Sequence, residues 1–293
     1  MNWWKGLKGR VKFDEPLKQH TTFKIGGPAK FFIDPRDTAD LKLLINAAKR
    51  YKIPIKVLGA GSNILVSDKG VNAVLVRMVA PHFRNLSVKD NCFIAGAGCL
   101  LNRLILEATD KGYSGLEFLT GIPGSVGGAL AMNAGAWGRE IGDFLDTAIV
   151  MDRNGKIREL RKKDISFKYR DSSLARYFIL KASFRLTKGS KKDISGCIRG
   201  YLLKRKGSQD LSVPSAGCVF KNPPGSSAGK LIEHCGLKGR KIGGASVSLK
   251  HANFIINDGN ASAKDVLKLI KIVRAEVKNK FNLILQREIK VWQ

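Results

Sequence analysis

Two glycine-rich stretches are the first places where this sequence could do chemistry. One is Gly121-Ile122-Pro123-Gly124-Ser125-Val126-Gly127-Gly128, running on through Asn133 to Gly135; the other is Gly59-Ala60-Gly61-Ser62-Asn63. Glycines in such number, with Pro123 fixing one turn, let main-chain N–H groups come close to a ligand. A loop of this kind that opens a helix suits a pyrophosphate. The same glycines would also serve a tight turn with close helix packing, above all Gly127-Gly128-Ala129. Neither stretch is a Rossmann fingerprint, because Gly59-x-Gly61 and Gly96-x-Gly98 lack the third glycine. Gly229-Lys230 is followed by Leu231, not Ser or Thr, which excludes a Walker A loop. The five cysteines (92, 99, 197, 218 and 235) form no CxxC pair and no metal-ligand spacing, so neither a disulfide framework nor a metal is expected.

The elements that must carry these loops alternate between short strands and helices. Asp37-Thr38 caps a helix with Leu41, Leu44, Ile45 and Ala48 on one face. A strand Ile53–Leu58 leads into the Gly59 turn, and strands follow at Ile64–Ser67, Ala73–Arg77 and Phe93–Ala95. An amphipathic helix spans Leu100–Lys111. Asp152-Arg153-Asn154-Gly155 signals a hairpin between Ile149–Met151 and Lys156–Leu160. Phe178–Leu186 reads as a strand. Lys188–Lys192 reads as a solvated linker, followed by a helix to about Lys206, a loop Val213–Ser227 and a helix Ala228–Cys235. A long helix from Ser262 or Ala263 to Phe281 turns Val266, Leu269, Ile270, Val273 and Val277 inward, and Leu283–Val291 reads as a closing strand. A domain boundary is expected in the Lys188–Lys192 stretch.

The chain has 293 residues, 44% of them hydrophobic, enough for a substantial core in one or two domains. No apolar run reaches the ~18 residues of a membrane span. The start, Met1-Asn2-Trp3-Trp4-Lys5, lacks the apolar core of a signal peptide, so a cytoplasmic protein without membrane insertion is expected. The net charge of +28 would attract polyanions. The basic residues are nevertheless spread along the chain, aromatics are only 8%, and no nucleic-acid-binding module is present. A nucleotide or diphosphate substrate accounts for the sign equally well, as does a general bias toward lysine.

Gly61-Ser62-Asn63 after a strand, followed by Gly121–Gly128, resembles the FAD-binding domain of the vanillyl-alcohol-oxidase type (the PCMH fold), as does His20-Thr21-Thr22-Phe23-Lys24-Ile25-Gly26-Gly27-Pro28-Ala29. The second half narrows the resemblance. Tyr169-Arg170-Asp171-Ser172, Pro214–Pro223, Gly229–Glu233, Lys250–Ile255 and Arg287-Glu288-Ile289 resemble the UDP-N-acetylenolpyruvoylglucosamine reductase (MurB) family. Pro224-Gly225 running into Ala228-Gly229-Lys230 is similar to its shorter subclass, which lacks an extra substrate-covering loop. The resemblance spans roughly residues 17 to 291.

It implies an α+β fold: a PCMH-type FAD-binding domain of two α/β subdomains over 1–190, and a smaller α+β substrate-binding domain over 191–293 whose terminal strand brings Glu288 to the active site. It implies non-covalent FAD, NADPH as co-substrate, and reduction of UDP-N-acetylenolpyruvoylglucosamine to UDP-N-acetylmuramate in peptidoglycan synthesis by a protein expected to be monomeric. Gly59, Gly61, Ser62, Asn63, Gly121, Ile122, Pro123, Gly124, Ser125, Gly127, Gly128, Asn133 and Gly135 would hold the cofactor. Charge accumulates as an enolate after hydride reaches C3 of the substrate, so the site needs a cation and a proton donor. By resemblance Arg170 is that cation, Glu288 its hydrogen-bonding or acid partner, and Lys221 and Asn222 hold the UDP diphosphate or sugar. Tyr169, His251 and Asn253 join the substrate site, the last two alternatively fixing the loop that shapes it. Cys218 departs from the family, which usually has Ser there as proton donor to C2. A thiol is the stronger acid and can also donate. The alternative within enzymes is another PCMH-fold flavin oxidoreductase acting on a sugar or alcohol.

Overall fold

The computed structural model describes residues 3–293; Met1 and Asn2, which open the N-terminal stretch read above, lie outside the described residues. The chain is α+β and divides into two compact units. The first comprises Phe31–Ala60 and Ala73–Lys204 with the N-terminal stretch up to Phe13; the second comprises Asp14–Lys30, Gly61–Asn72 and Arg205–Gln293. The contiguous segments 1–190 and 191–293 expected from sequence are therefore not the compact units. Residues 14–30 and 61–72 pack with the C-terminal third.

In the first unit, helix α1 (Thr38–Arg50) begins where the Asp37 carboxylate accepts the Asp40 N–H, and it buries Leu41, Leu44, Ile45 and Ala48. Strand Ile55–Val57 runs parallel to Val71–Val76, with Ile55 opposite Val74. Pro81 starts the short α2 (Pro81–Arg84), which buries Phe83, and α3 (Leu101–Asp110) buries Leu101, Leu104 and Ile105. Helix α4 (Val126–Ala131) lies within the longer glycine stretch. A five-stranded antiparallel sheet has the order Ile157–Arg161, Leu145–Met151, Phe178–Arg185, Cys92–Gly96, Leu86–Lys89. Its inner face contributes Phe93, Ala148, Val150, Ala182 and Phe184 to a core shared with Phe118, Leu104 and Val126. Gly155, at φ 77°, makes the turn of the expected hairpin.

Lys188–Lys192 is not a linker. Thr187–Lys188 pairs with Tyr113–Ser114, Gly189 N–H donates to the Gly112 carbonyl, and α5 (Lys191–Ser208) starts at once.

In the second unit, an antiparallel sheet runs Ser215–Cys218, Phe254–Asn257, Ala245–Val247, Lys241–Ile242. Its first strand lies inside the stretch read as a loop from sequence. Helix α6 (Ala228–His234) and the long α7 (Ala263–Phe281) pack on it; α7 opens with a reciprocal Ser262–Asp265 capping box and buries the five residues expected of it. The closing strand is shorter than read. Only Lys290–Trp292 is a strand, pairing in parallel with Ile64–Val66, while Arg287 makes a single bridge to Phe220. Leu285 and Ile289 are buried on the way, so their apolar spacing mimicked a strand.

Candidate active site

Each unit assembles its own part of the expected constellation. Gly59, Gly121–Gly128, Asn133, Gly135, Tyr169 and Arg170 belong to the first; Gly61–Asn63, Cys218, Lys221, Asn222, His251, Asn253 and Glu288 belong to the second.

In the first unit the Gly59 turn faces the start of α4. A Cβ on Gly59 would lie 2.9 Å from Ser125 Oγ and 3.7 Å from the Gly128 Cα, so the two backbones approach only because no side chain intervenes. Gly121 turns the chain at φ 78°, and Ile122 N–H donates to the Leu119 carbonyl. The N–H groups opening α4 are not the expected anion donors. Val126 N–H donates to Cys99, Gly127 N–H to Ala97 and Gly128 N–H to Ser125 Oγ. Gly127 is glycine for packing, since a Cβ there would come 2.9 Å from that of Ala97. Among the described residues no protein group accepts from the N–H of Gly124 or Ser125, which leaves that bend, with Gly59, as the part of the loop that fits a phosphate. The residues present thus fit a pyrophosphate such as that of FAD, which the turn ahead of α4 has the free N–H groups to receive.

Asn133 and Gly135, expected at the cofactor, serve the chain itself. Asn133 is fully buried; its Oδ1 accepts from Gly142 N–H at 3.2 Å, and its Nδ2 donates to the Glu140 carboxylate and to the Lys168 carbonyl at 3.2 Å. Gly135 pairs with Glu140 in a hairpin where a Cβ would meet the Arg139 carbonyl at 2.6 Å. Tyr169 and Arg170 form the two-residue turn between strands Phe167–Lys168 and Asp171–Ser172. Arg170 sits at φ 57°, a conformation that costs a non-glycine residue energy and concentrates at functional sites. Its guanidinium lies over the half-exposed Tyr169 ring, 5.0 Å from the centroid.

In the second unit Gly61, at φ 69°, has its Cα side closed by the His20 carbonyl, 2.0 Å from where a Cβ would stand; its own carbonyl accepts from Thr22 N–H. Ser62 follows, half-buried. Asn63 turns toward the other end of the chain: its Nδ2 donates to the Glu288 carbonyl at 3.4 Å, and its own carbonyl accepts from Lys290 N–H.

Cys218 closes the strand Ser215–Cys218 beyond an irregularity at Gly217 (φ 74°) and is half-buried. The next residue, Val219, accepts Glu288 N–H at 2.8 Å, which sets Cys218 and Glu288 on adjoining segments. Lys221 N–H is tied to the Gln286 carbonyl in the same ladder. Asn222 Oδ1 accepts from Ala228 N–H and caps α6, where Ser227 makes no such bond.

Asn253 is nearly fully buried and spends its amide on Phe220, accepting from its N–H at 2.9 Å and donating to its carbonyl at 2.8 Å. His251 Nδ1 accepts from Asn253 N–H at 3.2 Å, and burial pushes the imidazole below its usual range, with nearby Lys238 acting the same way. Accepting at Nδ1 fixes the neutral ring as the tautomer with its proton on Nε2. Of the two roles open to these residues, Asn253 fixes the Cys218–Lys221 segment. Sequence reasoning also missed Glu140 and Ser248, whose Oγ accepts from both Lys250 and His251 N–H; no local pattern marks either. Among the described residues no group of three or more His, Cys, Asp or Glu could hold a metal, and no helix is long and apolar enough to cross a membrane.

Residues 29–161 match the family model of an FAD binding domain, which places the chain among the FAD-binding flavoproteins. Residues 209–292 match that of the UDP-N-acetylenolpyruvoylglucosamine reductase C-terminal domain. The UDP-N-acetylenolpyruvoylglucosamine reductase of Clostridium novyi (strain NT) is 43% identical over 286 residues, 97% of this chain and 92% of that one. That of Clostridium tetani (strain Massachusetts / E88) is 42% identical over 281 residues, 95% and 91% of the two chains. The crystal structure of the Thermus caldophilus reductase (MurB) superposes with a TM-score of 0.84 at 37% identity, covering 98% of this chain and all of that one. The chain belongs to the UDP-N-acetylenolpyruvoylglucosamine reductase family, whose members are oxidoreductases that use FAD and NADPH.

Proposed function

We propose that this enzyme reduces the enolpyruvyl ether of UDP-N-acetylenolpyruvoylglucosamine to the lactyl ether of UDP-N-acetylmuramate, with Cys218 giving the proton to C2. FAD, when bound, supplies the means to pass hydride from NADPH to C3 of the enolpyruvyl group. The chain's task is then to hold the substrate, neutralise the charge that develops at C2 and the carboxylate, and deliver one proton. Arg170 supplies the fixed positive charge, permanent at any working pH. Cys218 holds the proton on Sγ, and Glu288 hydrogen-bonds or resupplies it. Lys221 pairs with the substrate diphosphate, Asn222 and Tyr169 line the sugar and nucleotide, and the Gly59–Asn63 and Gly121–Ser125 turns receive the cofactor's pyrophosphate. The substrate is a free nucleotide sugar, and a cytoplasmic monomer suits it.

The observation that supports this reading is the main-chain bond from Glu288 N–H to the Val219 carbonyl, by which the segments carrying Cys218 and Glu288 adjoin. It is tested by following flavin absorbance anaerobically. NADPH bleaches the yellow protein, and the enolpyruvyl substrate restores the colour. Cys218→Ser keeps an O–H donor and turns over, whereas Cys218→Ala is bleached by NADPH at the normal rate and fails to reoxidise with substrate. Wild-type turnover by Cys218→Ala would sink the assignment.

A further inference from the structure

The geometry points to Asn133 as a positioning residue for Arg170, acting through the Lys168 carbonyl with Glu140 as its brace. The inference rests on the reading of Arg170 as the cation that meets the developing charge. Arg170 occupies a left-handed position in a two-residue turn whose hairpin has only two paired residues on each strand, Phe167–Ser172 and Lys168–Asp171. So short a hairpin does not hold a strained turn by itself, and a strained residue persists only where its surroundings fix it. Beside the Ser173 N–H bond to the Ser166 carbonyl that closes the base of the hairpin, a restraint at the turn itself comes from Asn133. Its amide nitrogen donates to the carbonyl of Lys168, the last residue before the turn, and its amide oxygen accepts from Gly142 N–H. Gly142 in turn lies flat under the Phe167 ring, where a Cβ would stand 2.9 Å from Cδ1. One buried side chain thus grips both the strand that enters the turn and the segment on which that strand rests.

Glu140 orients the grip. Its carboxylate takes the other Nδ2 hydrogen of Asn133 and also accepts from Asp143 N–H, while Asp143 Oδ2 accepts from Glu140 N–H at 2.9 Å. A carboxylate partner forces the amide nitrogen, not the oxygen, to face Glu140, and that same nitrogen then faces Lys168. Asn133 is itself left-handed, at φ 43°, a conformation asparagine tolerates better than most residues. Both hydrogens of its amide nitrogen are spent within the chain.

The test separates the brace from the tether. In Asn133→Asp two carboxylates face each other and the Lys168 carbonyl loses its donor. In Asn133→Asp with Glu140→Gln, the new amide donates to the new carboxylate and Gly142 N–H keeps its acceptor, but the Lys168 carbonyl still has no donor. The double variant is expected to regain thermal stability and bound flavin, while kcat for substrate reduction stays down by about 10–100-fold, the scale of an ångström-level displacement of a catalytic group. KM and the rate of bleaching by NADPH should stay near wild type. Should the double variant fail to hold flavin, Asn133→Ser, which is too short to reach the Lys168 carbonyl and adds no charge, is measured with the same split expected. Wild-type kcat in the stable variant, or equal loss in both half-reactions, overturns the inference. Arg170→Ala with undiminished turnover overturns instead the role of Arg170, independently of the result at Asn133.

Discussion

Asn253 holds Phe220 by both of its main-chain polar groups, N–H at 2.9 Å and C=O at 2.8 Å, from a position with almost no solvent exposure. This pairing imitates one rung of a β-ladder with a side chain, at the point where the strand ending in Cys218 has run out of regular partners. A segment that carries Cys218, Lys221 and Asn222 is thereby registered against the strand Phe254–Asn257 and, through Val219 and Lys221, against residues 286–288.

Replacing Asn253 by Ala leaves a buried donor and a buried acceptor without partners. The expected loss is about 2–4 kcal/mol, read by urea unfolding. Asn253→Asp keeps an acceptor for Phe220 N–H but sets a buried carboxylate against the Phe220 carbonyl, so it should cost at least as much as Ala at neutral pH. Equal stability of all three proteins would show that the clamp contributes nothing.

The half-buried imidazole of His251 makes stability depend on pH. Its value is depressed in the folded state, so between that value and the unfolded one, near 6.5, the unfolded chain binds more protons. The stabilisation is therefore complete above about pH 6.5 and is lost as the pH falls through the folded value. His251→Gln lacks this dependence. The stability difference between wild type and variant should narrow as the pH is lowered from 7.5 to 5; a constant difference across that range counts against it.

A thiol donor fails once it ionises, and an alcohol does not ionise in the working range. Turnover should fall on the alkaline side by about tenfold per pH unit beyond the thiol's ionisation, and Cys218→Ser should flatten that limb. Identical profiles for both proteins would remove Cys218 from the proton-transfer step.

Gly61→Ala puts a Cβ 2.0 Å from a main-chain oxygen at a positive φ, with no flexible atom to give way. A loss of about 3 kcal/mol or more is expected, with a flavin-to-protein absorbance ratio well below wild type. Gly127→Ala meets a methyl at 2.9 Å, which the short α4 can ease by shifting, and should be milder in both readouts. The reverse order would mean that α4 is the less yielding of the two loops.

What the sequence could declare depended on how far each signal reached. Helices α1 and α7 were legible in their caps and their inward faces because both are written within one turn or one periodic stripe. The turn at Tyr169–Arg170 was legible only as a motif, for two paired residues leave no period to count. Asn133 stood inside a glycine-rich stretch whose composition pointed to a ligand, whereas its partners Glu140, Gly142 and Lys168 are brought to it only by folding. The division into units was hidden for the same reason: nothing local in residues 14–30 or 61–72 says that they pack with residues beyond 204.

That interleaving also bears on the order in which the molecule can form. Asn63 and Glu288, joined by a hydrogen bond, are 225 positions apart in sequence, and the parallel pair beside them has no local turn to nucleate it. Each unit is built from three stretches, but the first has all of its own by residue 204, while the second must join 14–30 and 61–72 to 205–293 before its core closes. Loop closure of that length is slow to be repaid. The half that carries Cys218 and Glu288 thus has the longer closures to make, and the strand Ile64–Val66 has its parallel partner only once the last residues of the chain arrive.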